Sequence, residues 1–168
     1  DEFCHGYFHR HHDIPYVLET YVRDVLALKP EDRTFSAAKF FFAYGLGNSL
    51  YFHMPVGACA IVATGRPTPE LMYETIEKYG ATVFYGVPTL YNGMINTYEG
   101  WQAGRNNPPK PLPRLGSLRF AVSAGEALPA ELFQRWKKHF GSELLDGIGS
   151  TEMLHIFISN RPGKVRPG

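Results

Sequence analysis

The chain is 168 residues long, enough for one domain with a sizeable core that buries roughly 70% of its unfolded surface if it closes on itself. Its 17 basic and 16 acidic residues leave a formal charge of +1, which removes the electrostatic case for nucleic acid or an anionic membrane as partner. No apolar run approaches the roughly 20 residues of a membrane-spanning helix.

The first residues, Asp1-Glu2-Phe3-Cys4-His5, show no charged-then-apolar leader pattern. Cys4 and Cys59 do not make a disulfide framework, and a reducing cytoplasm is the default. Four histidines follow closely, His5, His9, His11 and His12. They read either as a metal site or as solvated side chains, and no Cys or carboxylate framework completes a ligand set. Asp13 is the expected N-cap of a helix with Pro15 in its first turn. Val17, Leu18, Tyr21, Val22, Val25 and Leu26 form its apolar face, and Pro30-Glu31-Asp32 ends it. Thr34-Phe35-Ser36 is a short strand candidate. Lys39 to Asn48, dense in aromatics with two glycines, reads as a loop feeding a helix that runs to about Met54. Phe40 and Phe41 are expected in the core.

From Cys59 an alternation of strands and helices begins. Cys59 to Ala63 is wholly apolar, like a strand covered on both faces. Thr68 caps the next helix with Pro69 at its first position. Leu71, Met72, Thr75, Ile76 and Tyr79 supply the buried face, and Gly80 is the stop. Thr82 to Tyr85 is a strand. Pro88-Thr89 starts a helix through Leu90, Tyr91, Met94 and Ile95. Positions 100–117 are rich in Gly, Asn and Pro and join elements of one fold. Leu118 to Val122 is a strand. Pro129 to His139 is a helix with Leu132, Phe133 and Trp136 facing inward and Lys137-Lys138-His139 at its C-terminal end, where the helix dipole favours cations. Gly141 closes it, and Glu143-Leu144-Leu145 leads into Asp146 as the end of a buried strand. This order predicts an α/β fold, a largely parallel sheet with helices on both faces. Ligands of such sheets collect beyond the C-terminal strand ends.

Two motifs fall there, Ser123 to Ala127 and Asp146 to Glu152. In the second, Gly147 and Gly149 let the backbone pass close to something flat or anionic. Thr151 and Glu152 then place a hydroxyl beside a carboxylate, a pair that suits a phosphate and its Mg²⁺. Those seven residues alone leave a second reading open, a Gly-rich turn with a helix cap at Ser150 or Thr151. Taken singly, Glu126 and Glu152 read as surface or cap carboxylates, and His155 as a satisfied structural histidine.

Asp146 to Glu152 resembles the G-Y-G-x-T-E signature of the adenylate-forming superfamily, the acyl-CoA synthetases and their relatives. Its continuation, Met153 to Gly163, is similar to the benzoate-CoA ligase branch. So are Phe41 to Asn48, Gly86 to Tyr91, and Ser123 to Pro129. The four blocks stand in the family's order near its spacing, and their joint occurrence is far more specific than any one of them. The resemblance implies that residues 1–168 are part of the N-terminal AMP-binding and acid-binding domain. It implies a phosphate loop before residue 1, and a hinge and C-terminal domain with a catalytic Lys beyond residue 168. The polypeptide by itself is then expected to show no ligase turnover.

The same resemblance implies a reaction: benzoate, ATP and coenzyme A give benzoyl-CoA, AMP and diphosphate through benzoyl-AMP, in the degradation of aromatic compounds. Ser123, Ala124, Gly125 and Glu126 with Asp146, Gly147, Ile148 and Gly149 would enclose the nucleotide. Asp146 would accept from the adenine amino group, and Ile148 would replace the family's usual Tyr by aliphatic contact. Thr151 would bond the α-phosphate and Glu152 would bind Mg²⁺. Ala43, Tyr44, Gly149, His155 and Ile156 would form the acid pocket, with room for a planar ring at Gly149. Thr151, Glu152 and His155 are the catalytic candidates. Gly86-Val87-Pro88-Thr89 would shape the wall near the thiol channel. A substituted benzoate such as 4-hydroxybenzoate is the nearest rival substrate. A non-catalytic module that binds an aromatic or a nucleotide is the rival from another class. An amino-acid-activating domain ranks low, because no acid stands beside Ala43-Tyr44 or His155-Ile156 to pair with an amine.

Overall fold

The computed structural model describes residues 6–167, so Cys4 and His5 lie outside the described residues. Helix α1 (Asp13–Val17) runs on with wider π-helical winding through Leu18–Leu26. After β1 (Arg33–Ser36) comes α2 (Ala43–Leu46), which continues with the same wide winding through Gly47–Tyr51. There follow β2 (Cys59–Ile61), α3 (Pro69–Tyr79), β3 (Val83–Gly86) and α4 (Pro88–Gln102). Strand β4 (Phe120–Ser123), α5 (Ala130–Phe140), β5 (Glu143–Gly149) and β6 (Ile156–Ser159) complete the order.

The six strands form one sheet in the order β2-β1-β3-β4-β5-β6. The first five are parallel, and β6 pairs antiparallel with β5. Alternate residues of the central strands face opposite ways, as the period of two demands. Phe84, Ala121 and Leu144 pack under α3, α4 and α5 with Met72, Ile76, Met94 and Trp136. Val83, Tyr85, Val122 and Leu145 pack on the other face against Tyr21, Val22, Leu26, Tyr51 and Phe52. The expected α/β sheet with helices on both faces is therefore present, with an antiparallel edge. Among the described residues no helix is long and apolar enough to cross a membrane.

Several local expectations are corrected. His12, not Asp13, holds the N-cap position of α1, because the Asp13 carboxylate folds back to accept from Arg10 N at 2.9 Å. The helix stops before Pro30, at Leu26, where Ala27 turns left-handed with φ 46°. The helical winding that begins at α2 ends at Tyr51, short of Met54. Phe40 and Phe41 are not core: Phe41 is 80% exposed, because a turn closed by Phe42 N–H to the Lys39 carbonyl (3.1 Å) carries them out of the sheet layer. Strand β2 is not covered on both faces. It is the sheet edge, paired only with β1, and leaves Cys59 and Val62 exposed. Tyr79, at the last turn of α3, is half exposed. Tyr73 is buried in its place, against Tyr98, Trp101 and Phe140.

Other signals held. The Thr68 hydroxyl accepts from Leu71 N–H at 3.3 Å, and Gly80 ends α3 with φ 61°. The Gly/Pro-rich stretch after α4 stays within the domain: Leu115 and Leu118 enter the core, and Arg114 N–H donates to the Glu77 carboxylate at 2.8 Å.

Candidate active site

A cleft of about 450 Å³ opens at the C-terminal ends of the parallel strands. Tyr44, one residue into α2, helps to hold its floor. The phenol shares its proton between the Gly86 carbonyl (3.2 Å) and the Val122 carbonyl (3.1 Å), at the ends of β3 and β4. Burial pushes the Tyr44 hydroxyl well above its ordinary range, so it stays a neutral donor.

His155 stands just before β6 and is 2% exposed. Its ring packs among Tyr21, Tyr44 and Phe52, with centroids 5.5, 5.5 and 4.5 Å away. Nε2 lies 3.1 Å from the Tyr44 carbonyl. A carbonyl only accepts, so Nε2 carries the proton. Burial pushes the imidazole down to about 4, against a smaller upward pull from that carbonyl. The ring is neutral at pH 7, and Nδ1 has no partner among the described residues.

Glycines set the close contacts around this histidine. A Cβ on Gly47 would come within 2.6 Å of His155 Cδ2 and 2.9 Å of Phe52 Cε1. One on Gly149 would meet the main chain of His155 and Ile156 at 3.0 Å. Gly149 is therefore required by the approach of the β5–β6 turn.

The motif read as a strand end followed by a turn is strand as far as Gly149. The turn comes next: the Ser150 hydroxyl accepts from Met153 N–H (3.3 Å) and the Thr151 carbonyl from Leu154 N–H (3.0 Å). No helix begins at Ser150 or Thr151. His9 Nε2 donates to the Thr151 carbonyl at 2.8 Å. Glu152 is exposed. Hydrogen bonds from its own main-chain N–H, Tyr7 and Ser150 hold its carboxyl below the usual range.

Ala43, Tyr44, Ala124, Gly125, Gly149, Thr151, His155 and Ile156 all line this one cleft. Ser123, Glu126, Asp146, Gly147, Ile148 and Glu152 do not. Ser123 is wholly buried at the end of β4, and its hydroxyl has no partner among the described residues. Glu126 faces a separate groove with Thr89 and Arg135. Asp146 turns one carboxylate oxygen to Leu128 N–H at 3.5 Å, and burial raises its carboxyl. Gly147 is buried against Ile156, whose Cγ2 would lie 2.8 Å from an added Cβ. Ile148 is 58% exposed at the rim strand, free for aliphatic contact. Sequence reasoning missed Ala37, Ala38, Lys39 and Pro67, which complete the cleft wall. No short motif pointed to them. Among the described residues no cluster of three His, Cys, Asp or Glu could hold a metal ion.

Residues 6–168 match the family described as AMP-binding enzyme. The chain belongs to the AMP-binding enzyme family. This AMP-binding chain is 47% identical to the benzoate–CoA ligase of Thauera aromatica over 163 residues, which is 97% of the chain and 29% of that protein. It superposes on a benzoate CoA ligase from Burkholderia xenovorans LB400 with TM-score 0.85 and 46% identity, covering 97% of this chain and 31% of the other. An anthranilate CoA ligase in complex with anthranoyl-AMP gives TM-score 0.85 and 41% identity, with 97% and 30% covered. The AMP-binding chain thus spans under a third of the length of these relatives.

Proposed function

We propose that this AMP-binding chain is part of the N-terminal domain of an aromatic acid–CoA ligase, with benzoate as the acid. The carrying observation is one cleft that joins a small apolar slot at Ala43, Tyr44 and Ile156 to the Thr151 turn and Gly125. The ring of a benzoate fits a slot whose wall is mostly Ala, Gly, Val, Pro and Ile. The carboxylate then points toward Thr151, where ATP would present its α-phosphorus.

A carboxylate is not attacked by a thiol in water, because hydroxide leaves poorly. In the first half-reaction a carboxylate oxygen attacks the α-phosphorus and diphosphate leaves, giving the acyl-AMP. In the second the CoA thiolate attacks the acyl carbon and AMP leaves. The Thr151 hydroxyl would donate to an α-phosphate oxygen as its charge builds. Tyr44 and the neutral His155 would shape the slot without placing a cation in it. Ala124 and Gly125 would let a flat base approach the backbone.

One exposed carboxylate beside a hydroxyl, with no cluster of acidic ligands among the described residues, fits Mg²⁺ that arrives on phosphate oxygens, and Glu152 would hold it. Mg²⁺ would supply charge neutralisation on the phosphates. CoA would reach the acyl carbon through an adjoining groove of about 440 Å³ lined by Arg66, Gly86, Val87 and Thr89. The expected setting is cytoplasmic.

The test is AMP release by the intact enzyme with ATP and CoA. Benzoate should exceed 4-hydroxybenzoate in kcat/KM, because an apolar wall leaves a ring hydroxyl unpaired. Faster turnover with 4-hydroxybenzoate would replace benzoate in this reading. No AMP release with any aromatic acid would support a non-catalytic binding module.

A further inference from the structure

Pro67 lies where the cleft and the adjoining groove meet, since it lines both of them. It belongs to a connection between Ile61, the end of β2, and Thr68, the cap of α3. Outside the sheet ladder, no main-chain hydrogen bond among the described residues involves positions 62–67. One side-chain bond reaches that connection: Lys39 Nζ donates to the Gly65 carbonyl at 2.7 Å. Gly65 has φ +104°, a conformation that side chains rarely adopt. The carbonyl is thereby aimed by a backbone geometry that glycine favours.

The Lys39 end is held more firmly. A Cβ on Gly45 would lie 2.1 Å from the Lys39 carbonyl oxygen, so the Lys39 backbone is packed directly on α2. Lys39 and Pro67 both line the cleft. The ammonium thus ties the loosely bonded wall to the wall fixed on α2.

We propose that Lys39 is a positioning residue that latches the Gly65–Pro67 segment and sets the width of the acid slot, and with it the selectivity among aromatic acids. The proposal rests on the ligase reading above. With the latch open, Pro67 is free to move outward. Small acids are then held less well, and bulkier ones are excluded less strongly. The chemistry itself, at Thr151 and the α-phosphate, is left in place.

The test compares Lys39→Met, Lys39→Arg, Gly65→Ala and the Lys39→Met/Gly65→Ala pair in the intact ligase. Lys39→Met keeps the aliphatic stem and removes the donor. It should raise the KM for benzoate about threefold to tenfold, the scale of one ordinary net hydrogen bond, as suits an ammonium exposed to water, with kcat changed less than about twofold. Preference for benzoate over a bulkier para-substituted benzoate should fall by a similar factor. Lys39→Arg should restore most of it. The double variant should be no worse than the worse single one, because both changes remove the same contact. Independently of turnover, the backbone ¹⁵N order parameters of Gly65 and Arg66 should fall in Lys39→Met.

Unchanged order parameters there would overturn the latch, whatever the enzyme turns over. Unchanged KM and selectivity would overturn its role in the slot. Additive effects of Lys39→Met and Gly65→Ala would assign Lys39 to direct contact with the acid and also overturn it. A wild-type enzyme that forms no aromatic acyl-adenylate would sink the ligase reading, while the order parameters would still decide the latch.

Discussion

His155 Nε2 donates to the Tyr44 carbonyl across 3.1 Å, and this bond ties the turn before β6 to the helix that brings Ala43 and Tyr44 to the cleft. Replacing the ring by Leu at position 155 would take away one of that carbonyl's donors and leave it with the Gly47 N–H. The expected loss of stability is about 0.5–1.5 kcal/mol, the net worth of one hydrogen bond. Urea unfolding measures it. In the intact ligase the KM for benzoate should rise with it, because the slot wall at Tyr44 and Ile156 loses its support. A variant as stable as the parent would show that the bond contributes nothing.

The same residue makes stability depend on pH. Burial moves the His155 pKa from the ordinary 6.5 to about 4, so in the unfolded chain the ring takes up its proton first as pH falls. Between about pH 6.5 and 4 the unfolded state binds more protons, and stability therefore rises with pH across that window. The displacement corresponds to about 3 kcal/mol as an order of magnitude. Burial shifts His53 in the same direction. Asp146 works the other way, since burial raises its carboxyl and the folded state keeps that proton longer. Urea midpoints at pH 7 and pH 5 should differ clearly in the parent and much less in His155→Leu.

Gly47 shows what a single methyl would do in this region. Its Cβ would fall 2.6 Å from the His155 ring and 2.9 Å from Phe52, and both rings are packed on other sides. Gly47→Ala gains helix propensity of at most about 1 kcal/mol. Overpacking should cost about 1–3 kcal/mol and win. The expected result is a lower Tm and a ligase impaired in benzoate KM. A raised Tm would mean that the π-wound segment shifts to accept the methyl.

The central sheet was legible because its signals are local and repeated. Thr68-Pro69 before an apolar stripe and Gly80 after it state a helix by themselves, and the side chains behaved accordingly. Phe40 and Phe41 were misread because composition says that aromatics prefer the core, whereas the turn at Lys39 decides where they go. Periodicity cannot see such a turn. The apolar stretch from Cys59 was misread for a similar reason: a strand's position at the sheet edge is set by pairing order. That Ala43, Tyr44, Gly149, His155 and Ile156 would come together was implied by the family resemblance, and they share one cleft. Lys39 and Pro67 were not legible, because their role arises from a contact between segments 26 positions apart that no short motif records.

Thr151 and Glu152 separate function from fold most cleanly. Glu152 is exposed, and its partners sit in the turn and at Tyr7, which precedes α1. Glu152→Gln removes the charge and keeps the shape, so the Tm should not move. In the intact ligase it should lower kcat by about a hundredfold or more, the scale of losing one aimed electrostatic contact in a transition state. Added Mg²⁺ should recover part of that loss, because a weakened ligand raises the concentration of metal needed. Thr151→Val removes the hydroxyl from the cleft wall and should also lower kcat, but added Mg²⁺ should not restore it. Steady-state AMP release over a Mg²⁺ series distinguishes the two variants. If Glu152→Gln keeps full turnover at every Mg²⁺ concentration, the carboxylate holds no metal, and the assignment of this turn to phosphate chemistry rests on Thr151 alone.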